Sequence, residues 1–393
     1  MGTGGQEKVW MSNVSTLDKT NHIPRPDRTS SGKVHFEVLD GLRGSAAFLV
    51  VAFHIIGIPL GFNNSKNLLH HAYLAVDFFF GLSGFVIGYA YDDRWSRMTT
   101  LQFFKLRLIR LHPLVILGAT MGLASYLLDP YGKHLQQTPL VALLLAYLAS
   151  VLLVPSPTVQ NRVGETHTLN SPSWSLTQEY LANIGYALVL RRLRTNALAI
   201  IAILGGAVLL WQAIERGSLD AGWGYSNFWM APVRLIYPFV TGLWLYRVHH
   251  RLPRIRLGFL PLTLVLLAAF MMPVLPTVGS FSCNGLYDAL CILLVFPAII
   301  MAGAHSDAGV GLMGICKASG RLSYPLYMTH YPFMYIYANW VETTHPAQAA
   351  QREVALLLAP FVLFFAWLAV KFFDEPIRAK LRWNNRRNSA LVR

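Results

Sequence analysis

The chain has 393 residues, of which 54% are hydrophobic and only 13% are charged. Soluble domains carry roughly a quarter of charged residues, so this composition predicts an integral membrane protein. The net charge is +14, but the cations lie in tails and in loops between apolar segments, which excludes the single basic surface of a nucleic-acid-binding domain. The cysteines lack the paired spacing of metal ligands, so no metal site is predicted.

The chain divides into three regions. Residues 1–35 are polar and contain no signal peptide, and we expect a disordered cytoplasmic tail there. Residues 36–378 form one membrane domain, and residues 379–393 form a basic cytoplasmic tail. Apolar segments long enough to be candidate spans lie at 44–60, 73–91, 110–128, 139–155, 174–190, 196–215, 229–247, 258–277, 285–303, 321–340 and 353–373.

Cationic loops mark the cytoplasmic side of a membrane protein, and their positions predict that both termini are cytoplasmic. Eleven spans cannot leave both ends on one side, so one segment must cross only partly. Segment 139–155 is short and ends in Pro155-Ser156-Pro157, which is typical of a partial or re-entrant helix. We therefore predict an all-α, multi-pass bundle of the plasma membrane, with about ten transmembrane helices and one partial helix.

The first apolar segment carries two residues that suggest chemistry, Arg43 and His54. They are separated by about three helical turns, roughly 16 Å, which places His54 near the middle of the membrane. A neutral imidazole at that depth suits general-base catalysis. The alternative is a structural histidine that is hydrogen-bonded between helices.

Asp77 opens the second apolar segment. It could orient a protonated His54, or it could only anchor the packing of helices. Gly81, Gly84 and Gly88 follow at spacings of three and four residues, which predicts a close helix–helix approach.

A third group consists of Lys105, Arg107 and Arg110, and the two arginines share one helix face. We place them at the cytoplasmic edge. There they could contact lipid headgroups, or they could hold the phosphates of a cytosolic ligand.

Two later segments complete the set of candidate residues. Glu179 lies beyond the first turn of its predicted helix, so it needs a histidine, an arginine or a substrate hydroxyl as a partner. Trp174, Ser175, Tyr327 and His330 are expected to line the acceptor site, although hydroxyls such as that of Tyr327 also commonly link helices.

No Walker loop, Rossmann fingerprint, HExxH motif or G-x-S-x-G elbow is present. The ordered motifs instead resemble membrane acyltransferase family 3, whose members O-acylate sugars and other hydroxylated acceptors. The motifs that carry this resemblance are Arg43 with His54, the box from Asp77 to Phe85, Arg107 with Arg110, Trp174 to Glu179, Ser323 to His330, and Glu375-Pro376.

The resemblance implies that His54 is catalytic, that Arg43, Arg107 and Arg110 face an acyl-CoA, and that Glu179 belongs to the same functional core. It also implies an acyl-CoA donor, acetyl-CoA in the simplest case, with no permanently bound cofactor, and a carbohydrate or glycoside acceptor. A transporter or flippase and a non-catalytic membrane partner are the alternative functions. The sequence does not specify the acceptor or the length of the acyl chain.

Overall fold

The computed structural model describes residues 35–132, 138–162 and 164–382. The predicted N-terminal tail, apart from His35, and most of the predicted C-terminal tail lie outside the described residues. Two short strands, β1 (Thr277–Val278) and β2 (Phe281–Ser282), form a hairpin. The α-helices of the described part are α1 (Glu37–Gly57), α2 (Ala75–Tyr91), α3 (Thr100–Leu127), α4 (Leu140–Leu152), α5 (Ser173–Leu188), α6 (Thr195–Arg216), α7 (Met230–Val248), α8 (Phe259–Met271), α9 (Cys283–Leu290), α10 (Phe296–His305), α11 (Gly309–Thr329), α12 (Tyr331–Thr344) and α13 (Gln348–Leu368).

The helical membrane architecture is confirmed, whereas the count of ten spans is not. In the described part of the chain, six helical stretches are long and apolar enough to cross a membrane: Glu37–Leu60, Ala72–Arg97, Thr100–Leu127, Thr195–Arg216, Cys283–His305 and Gln348–Arg382. Helices α4 and α8 are apolar but shorter, with 13 residues each. Thirteen residues extend over about 20 Å, less than the hydrocarbon thickness of about 30 Å, which agrees with the partial crossing predicted for segment 139–155.

Helices α1 and α3 begin earlier in the sequence than predicted. The sequence placed their starts at residues 44 and 110, but they begin at Glu37 and Thr100. Thr99 and Gln102 form a capping box at the start of α3, a signal that the hydropathy pattern concealed. Arg43, Arg107 and Arg110 consequently lie about two to three turns inside their helices, whereas their predicted position at the cytoplasmic edge of the membrane stays a prediction.

The predicted helix 321–340 is present but interrupted at His330, between α11 and α12, where the backbone keeps helical dihedrals (φ −74°, ψ −42°). In a continuous helix, the Met328 carbonyl would accept the N–H of residue 332, but Pro332 has no N–H. The side-chain amide of Asn170 donates to the Met328 carbonyl instead, at 2.9 Å. The Met328 carbonyl therefore keeps a hydrogen-bond donor although the helix is interrupted, and His330 lies at the junction.

Close helix crossings hold the bundle together. A Cβ added to Gly84 on α2 would lie 2.0 Å from the Phe239 carbonyl of α7, and a Cβ on Gly242 would lie 2.0 Å from the Gly81 carbonyl. Only glycine permits this approach, as the spacing of the α2 glycines predicted. Gly44 on α1 similarly meets Ser319 on α11.

Helices α1 and α11 run in the same direction. Arg43 contacts the Gly320 carbonyl near one end of the crossing, and His54 contacts His330 about three turns farther along both helices. This arrangement defines two ends of the bundle, called here the arginine end and the histidine end.

Candidate active site

The centre of the site is a pair of histidines on two different helices. The Nδ1 atom of His54 on α1 lies 3.3 Å from the Nε2 atom of His330 at the α11–α12 junction. His330 is fully buried, whereas His54 is half-buried. The helix break places the His330 ring beside His54, so the structure brings together two residues that are 276 positions apart.

The surrounding hydrogen bonds fix which nitrogen atoms carry protons. The Nδ1 atom of His330 lies 2.9 Å from the Tyr327 carbonyl and 3.1 Å from the Leu326 carbonyl. A carbonyl only accepts, so this nitrogen carries the proton and Nε2 of the neutral ring is an acceptor. His54 must then donate from Nδ1 to His330. This leaves Nε2 of His54 with a lone pair, as a general base or a nucleophile requires.

Aromatic rings and hydroxyls surround the histidine pair. The Tyr331 ring lies 5.0 Å from the His54 ring, edge to face, and 5.7 Å from the His330 ring. The hydroxyls of Ser175 and Tyr327 are 2.7 Å apart, and both bond the Pro172 carbonyl. The Tyr327 ring lies 6.0 Å from the His330 ring, so Ser175, Tyr327 and His330 are neighbours, and His330 in turn contacts His54.

Glu179 lies closer to the arginine end, where it has the arginine partner that the sequence required. Its Oε1 atom accepts a hydrogen bond from Arg107 at 2.7 Å and one from Ser83 at 3.2 Å. Arg107 is 4% exposed, and its Nε atom is buried with no hydrogen-bond partner. The pair therefore joins α3 to α5, and the buried Nε donor of Arg107 has no partner among the described residues.

Three arginines form a cationic group at this level of the bundle. Arg43, Arg107 and Glu179 are charged neighbours of Arg110, and so is Asp374. Arg43 bonds Asp40 on the same helix at 2.8 Å, and it joins α1 to α11 by donating to the Ser323 hydroxyl at 2.9 Å and to the Gly320 carbonyl at 3.0 Å. Within the described part of the chain, Arg110 makes no hydrogen bond and no ion pair. Lys105 is exposed, nearer the start of α3.

Asp77 does not contact His54 in the described structure. Both of its oxygens accept hydrogen bonds from Arg234 on α7, at 3.2 and 2.5 Å, and both side chains are fully buried. The role expected for Asp77 in steadying His54 therefore has no contact to support it, and the alternative, an anchor between helices, fits the geometry. His330 occupies the place where we expected a carboxylate.

Trp174 is buried beside the Asp77–Arg234 pair. Its side chain is 5% exposed, the Arg234 guanidinium lies 5.4 Å from its ring centre, and Gly222 covers it. Gly222 has a φ of +103°, and a Cβ there would approach the Trp174 ring to 2.9 Å. Trp174 therefore packs against the Asp77–Arg234 pair, and its expected role in the acceptor site stays a prediction.

Sequence reasoning missed Arg234 and Ser83. Arg234 is the single charged residue between positions 229 and 246, and an ionisable residue in an apolar segment is itself a signal of a buried partner or a functional site. Ser83 gave no comparable signal, because a serine within a glycine-rich apolar helix is common in membrane proteins.

Comparisons with known proteins identify the family of the chain. The family model described as an acyltransferase domain, that of acyltransferase family 3, matches residues 36–371. A curated relative, "Protein 2 in picA locus" from Rhizobium radiobacter, is 32% identical over 191 residues, which cover 46% of this chain and 95% of that protein. No solved structure matches. The chain belongs to acyltransferase family 3 and is a membrane acyltransferase.

Proposed function

We propose that the protein transfers an acyl group, acetyl in the simplest case, from acyl-CoA to a hydroxyl of a carbohydrate or glycoside, with Nε2 of His54 as the base. The observation that carries this proposal is the fixed tautomer of the histidine pair. A histidine held only as a structural link between helices would need no free ring nitrogen, whereas His54 keeps one beside a group of hydroxyls and aromatic rings.

The cationic group supports a polyanionic donor. Arg110 has no hydrogen-bond partner in the described residues, and the Nε atom of buried Arg107 is unpaired. Guanidinium groups with free donors bind phosphate oxygens well, and exposed Lys105 adds positive charge nearby. Arg43 contributes mainly charge, because its Nε and Nη2 atoms already bond Ser323, the Gly320 carbonyl and Asp40. The CoA phosphates would lie here, at the end of the bundle that we place at the cytoplasmic face of the plasma membrane, and both termini would be cytoplasmic.

The cationic group and the histidine pair are separated by a distance that one extended acyl-CoA molecule can span. Arg43 and His54 are eleven residues apart on α1, or roughly 16 Å. A donor whose phosphates bind near Arg110 would therefore extend its pantetheine arm along α1 and bring the thioester to His54.

The acyl group then passes from the sulfur of CoA to the acceptor oxygen in one addition and one elimination. The acceptor oxygen bonds to the thioester carbonyl carbon while Nε2 of His54 takes the hydroxyl proton. The carbon–sulfur bond breaks as the tetrahedral intermediate collapses, and the imidazolium returns the proton to the departing CoA thiolate. His330 stabilises the transient imidazolium of His54 by accepting its Nδ1–H. A two-step variant, in which Nε2 first takes the acyl group, uses the same tautomer.

Mass spectrometry of envelope glycans and secreted glycosides tests this function in the native cell. We expect an acyl mass on at least one glycan of cells with the wild-type protein and its loss in cells with His54→Ala. His305→Ala is the matched control, because His305 is a half-buried histidine bonded to the backbone at the His249 carbonyl. Glycans that are identical in wild-type and His54→Ala cells, at equal protein levels, would contradict the proposal.

The alternative of a transporter or flippase predicts a different result. Such a protein moves its substrate across the membrane without consuming acyl-CoA, and membership in an acyltransferase family argues against it. Measuring CoA release by purified protein in lipid nanodiscs separates the two functions directly.

A further inference from the structure

The loop between α4 and α5 carries an acidic residue, Glu165, that the mechanism above does not use. The loop is held in place by the loop that precedes α7. Glu165 pairs with Gly224 in an isolated β-bridge, and the N–H of Thr166 bonds the Trp223 carbonyl at 3.0 Å. The position of Glu165 is therefore defined by backbone hydrogen bonds.

The Glu165 side chain is half-buried among polar and aromatic groups. The Tyr335 hydroxyl on α12 donates to its Oε2 atom. The Ser171 hydroxyl is a hydrogen-bonding neighbour of both Glu165 and Tyr331. The guanidinium of Arg162 lies 3.7 Å from the centre of the Tyr335 ring. A carboxylate within such a group binds hydroxyl donors well, because it only accepts hydrogen bonds when ionised.

Tyr331 connects this group to the histidine pair. Its ring lies 4.8 Å from the Tyr335 ring on one side and 5.0 Å from the His54 ring on the other. Since α12 continues from the histidine end of α11, Glu165 lies beyond His330, on the side opposite to the arginines. The ring of Tyr331 thus forms one wall shared by the Glu165 group and the reacting centre.

We propose that Glu165 and Tyr331 form the acceptor subsite: the Glu165 carboxylate accepts a hydrogen bond from a second hydroxyl of a carbohydrate acceptor, and the Tyr331 ring lies against the sugar. This inference rests on the proposed function and deepens it. It assigns the acceptor an approach from the histidine end, while the donor enters from the arginine end, so the two substrates do not compete for one opening.

The subsite has a pH dependence. Burial raises the pKa of the Glu165 carboxyl to about 7, while hydrogen bonds from Tyr335 and Ser171 and the positive charge of Arg162 partly oppose that rise. The ionised carboxylate only accepts hydrogen bonds, at either oxygen, whereas the protonated carboxyl uses one oxygen as a donor and so binds a hydroxyl donor less well. Acceptor binding therefore weakens as the pH falls through about 7, and a glutamine at this position removes the dependence.

The test uses the full chain in lipid nanodiscs, with p-nitrophenyl β-D-glucoside as the acceptor probe and acetyl-CoA as the donor. For Glu165→Gln, we expect the KM for the glucoside to rise about 10- to 100-fold, as for the loss of a hydrogen bond to a charged group. The KM for acetyl-CoA should be unchanged. Glu165→Asp should retain the pH dependence of the glucoside KM, and Glu353→Gln, at an exposed glutamate on α13, is the matched control with no effect.

Equilibrium binding of the glucoside in the absence of acetyl-CoA separates this inference from the proposed function. Wild-type binding that is tighter at pH 8 than at pH 6, and weak at both values in Glu165→Gln, supports the subsite even if no acyl group is transferred. Equal binding by wild type and Glu165→Gln, with the same pH dependence, would overturn it while leaving the transfer chemistry of His54 intact.

Discussion

Replacing His330 with phenylalanine isolates the contribution of the histidine pair. Phenylalanine preserves a planar ring at the helix junction but removes the Nε2 atom that lies 3.3 Å from Nδ1 of His54. Two consequences follow from this loss. His54 is no longer held in the tautomer that frees its Nε2 atom, and its transient imidazolium loses a hydrogen-bond acceptor.

The magnitude follows from the charge on His54 during the reaction. A hydrogen bond to a charged group contributes about 1.5–3 kcal/mol, and each 1.36 kcal/mol of transition-state stabilisation is about tenfold in rate. We therefore expect kcat to fall about 10- to 150-fold. The KM for acyl-CoA should stay the same, because the cationic group lies about three helical turns from His54. Removal of the base itself, in His54→Ala, should cost more, about 10²- to 10⁴-fold.

The assay is CoA release by purified protein at saturating acyl-CoA, with His305→Phe as a control for a histidine bonded to backbone elsewhere in the bundle. Size-exclusion profiles show whether each variant is folded. An unchanged kcat in His330→Phe would refute the role of His330 in holding the base. A loss as large as that of His54→Ala would indicate instead that the two histidines act as one unit.

Two further predictions concern the charged groups around the site. Arg234→Ala leaves the carboxylate of Asp77 buried without its partner, and breaking such a pair costs about 3–5 kcal/mol of stability. Thermal unfolding in nanodiscs should show a clearly lower midpoint, partly restored in the double variant that adds Asp77→Asn, and equal midpoints would contradict the anchoring role. Arg110→Gln should raise the KM for acyl-CoA at least tenfold with little change in kcat, whereas Lys105→Gln, at the exposed position, should have a smaller effect. A lower kcat with an unchanged KM would argue against phosphate binding by Arg110.

Local patterns in the sequence predicted the features that depend on one helix at a time. The glycine spacing on α2 predicted the close crossing that the Gly84 contact with Phe239 shows. The isolated histidine in an apolar segment singled out His54, and the position of Glu179 beyond the first helical turn showed that it needed a partner. These inferences depend on burial and periodicity, which a single segment contains.

The remaining features depend on pairing between segments, which one sequence does not encode in a readable form. Nothing in the second apolar segment indicated that Asp77 would pair with Arg234, 157 positions away. At the break near His330, the Asn170 side chain donates to the Met328 carbonyl, which Pro332 leaves without an N–H partner. Hydropathy also concealed the true start of α3, because a segment that contains Arg107 and Arg110 resembles a cytoplasmic loop. In the structure Arg107 is buried within α3, where it is paired with Glu179.

The central claim is that His54 is the base, or the acyl carrier, in acyl transfer from acyl-CoA. The most direct measurement is CoA release and acylated product from radiolabelled acetyl-CoA by purified wild type and His54→Gln in nanodiscs. We predict one CoA released for each acyl group transferred by the wild type, and a loss of about 10²-fold or more in His54→Gln with acyl-CoA binding retained. Equal rates of transfer by the two folded proteins would contradict the claim.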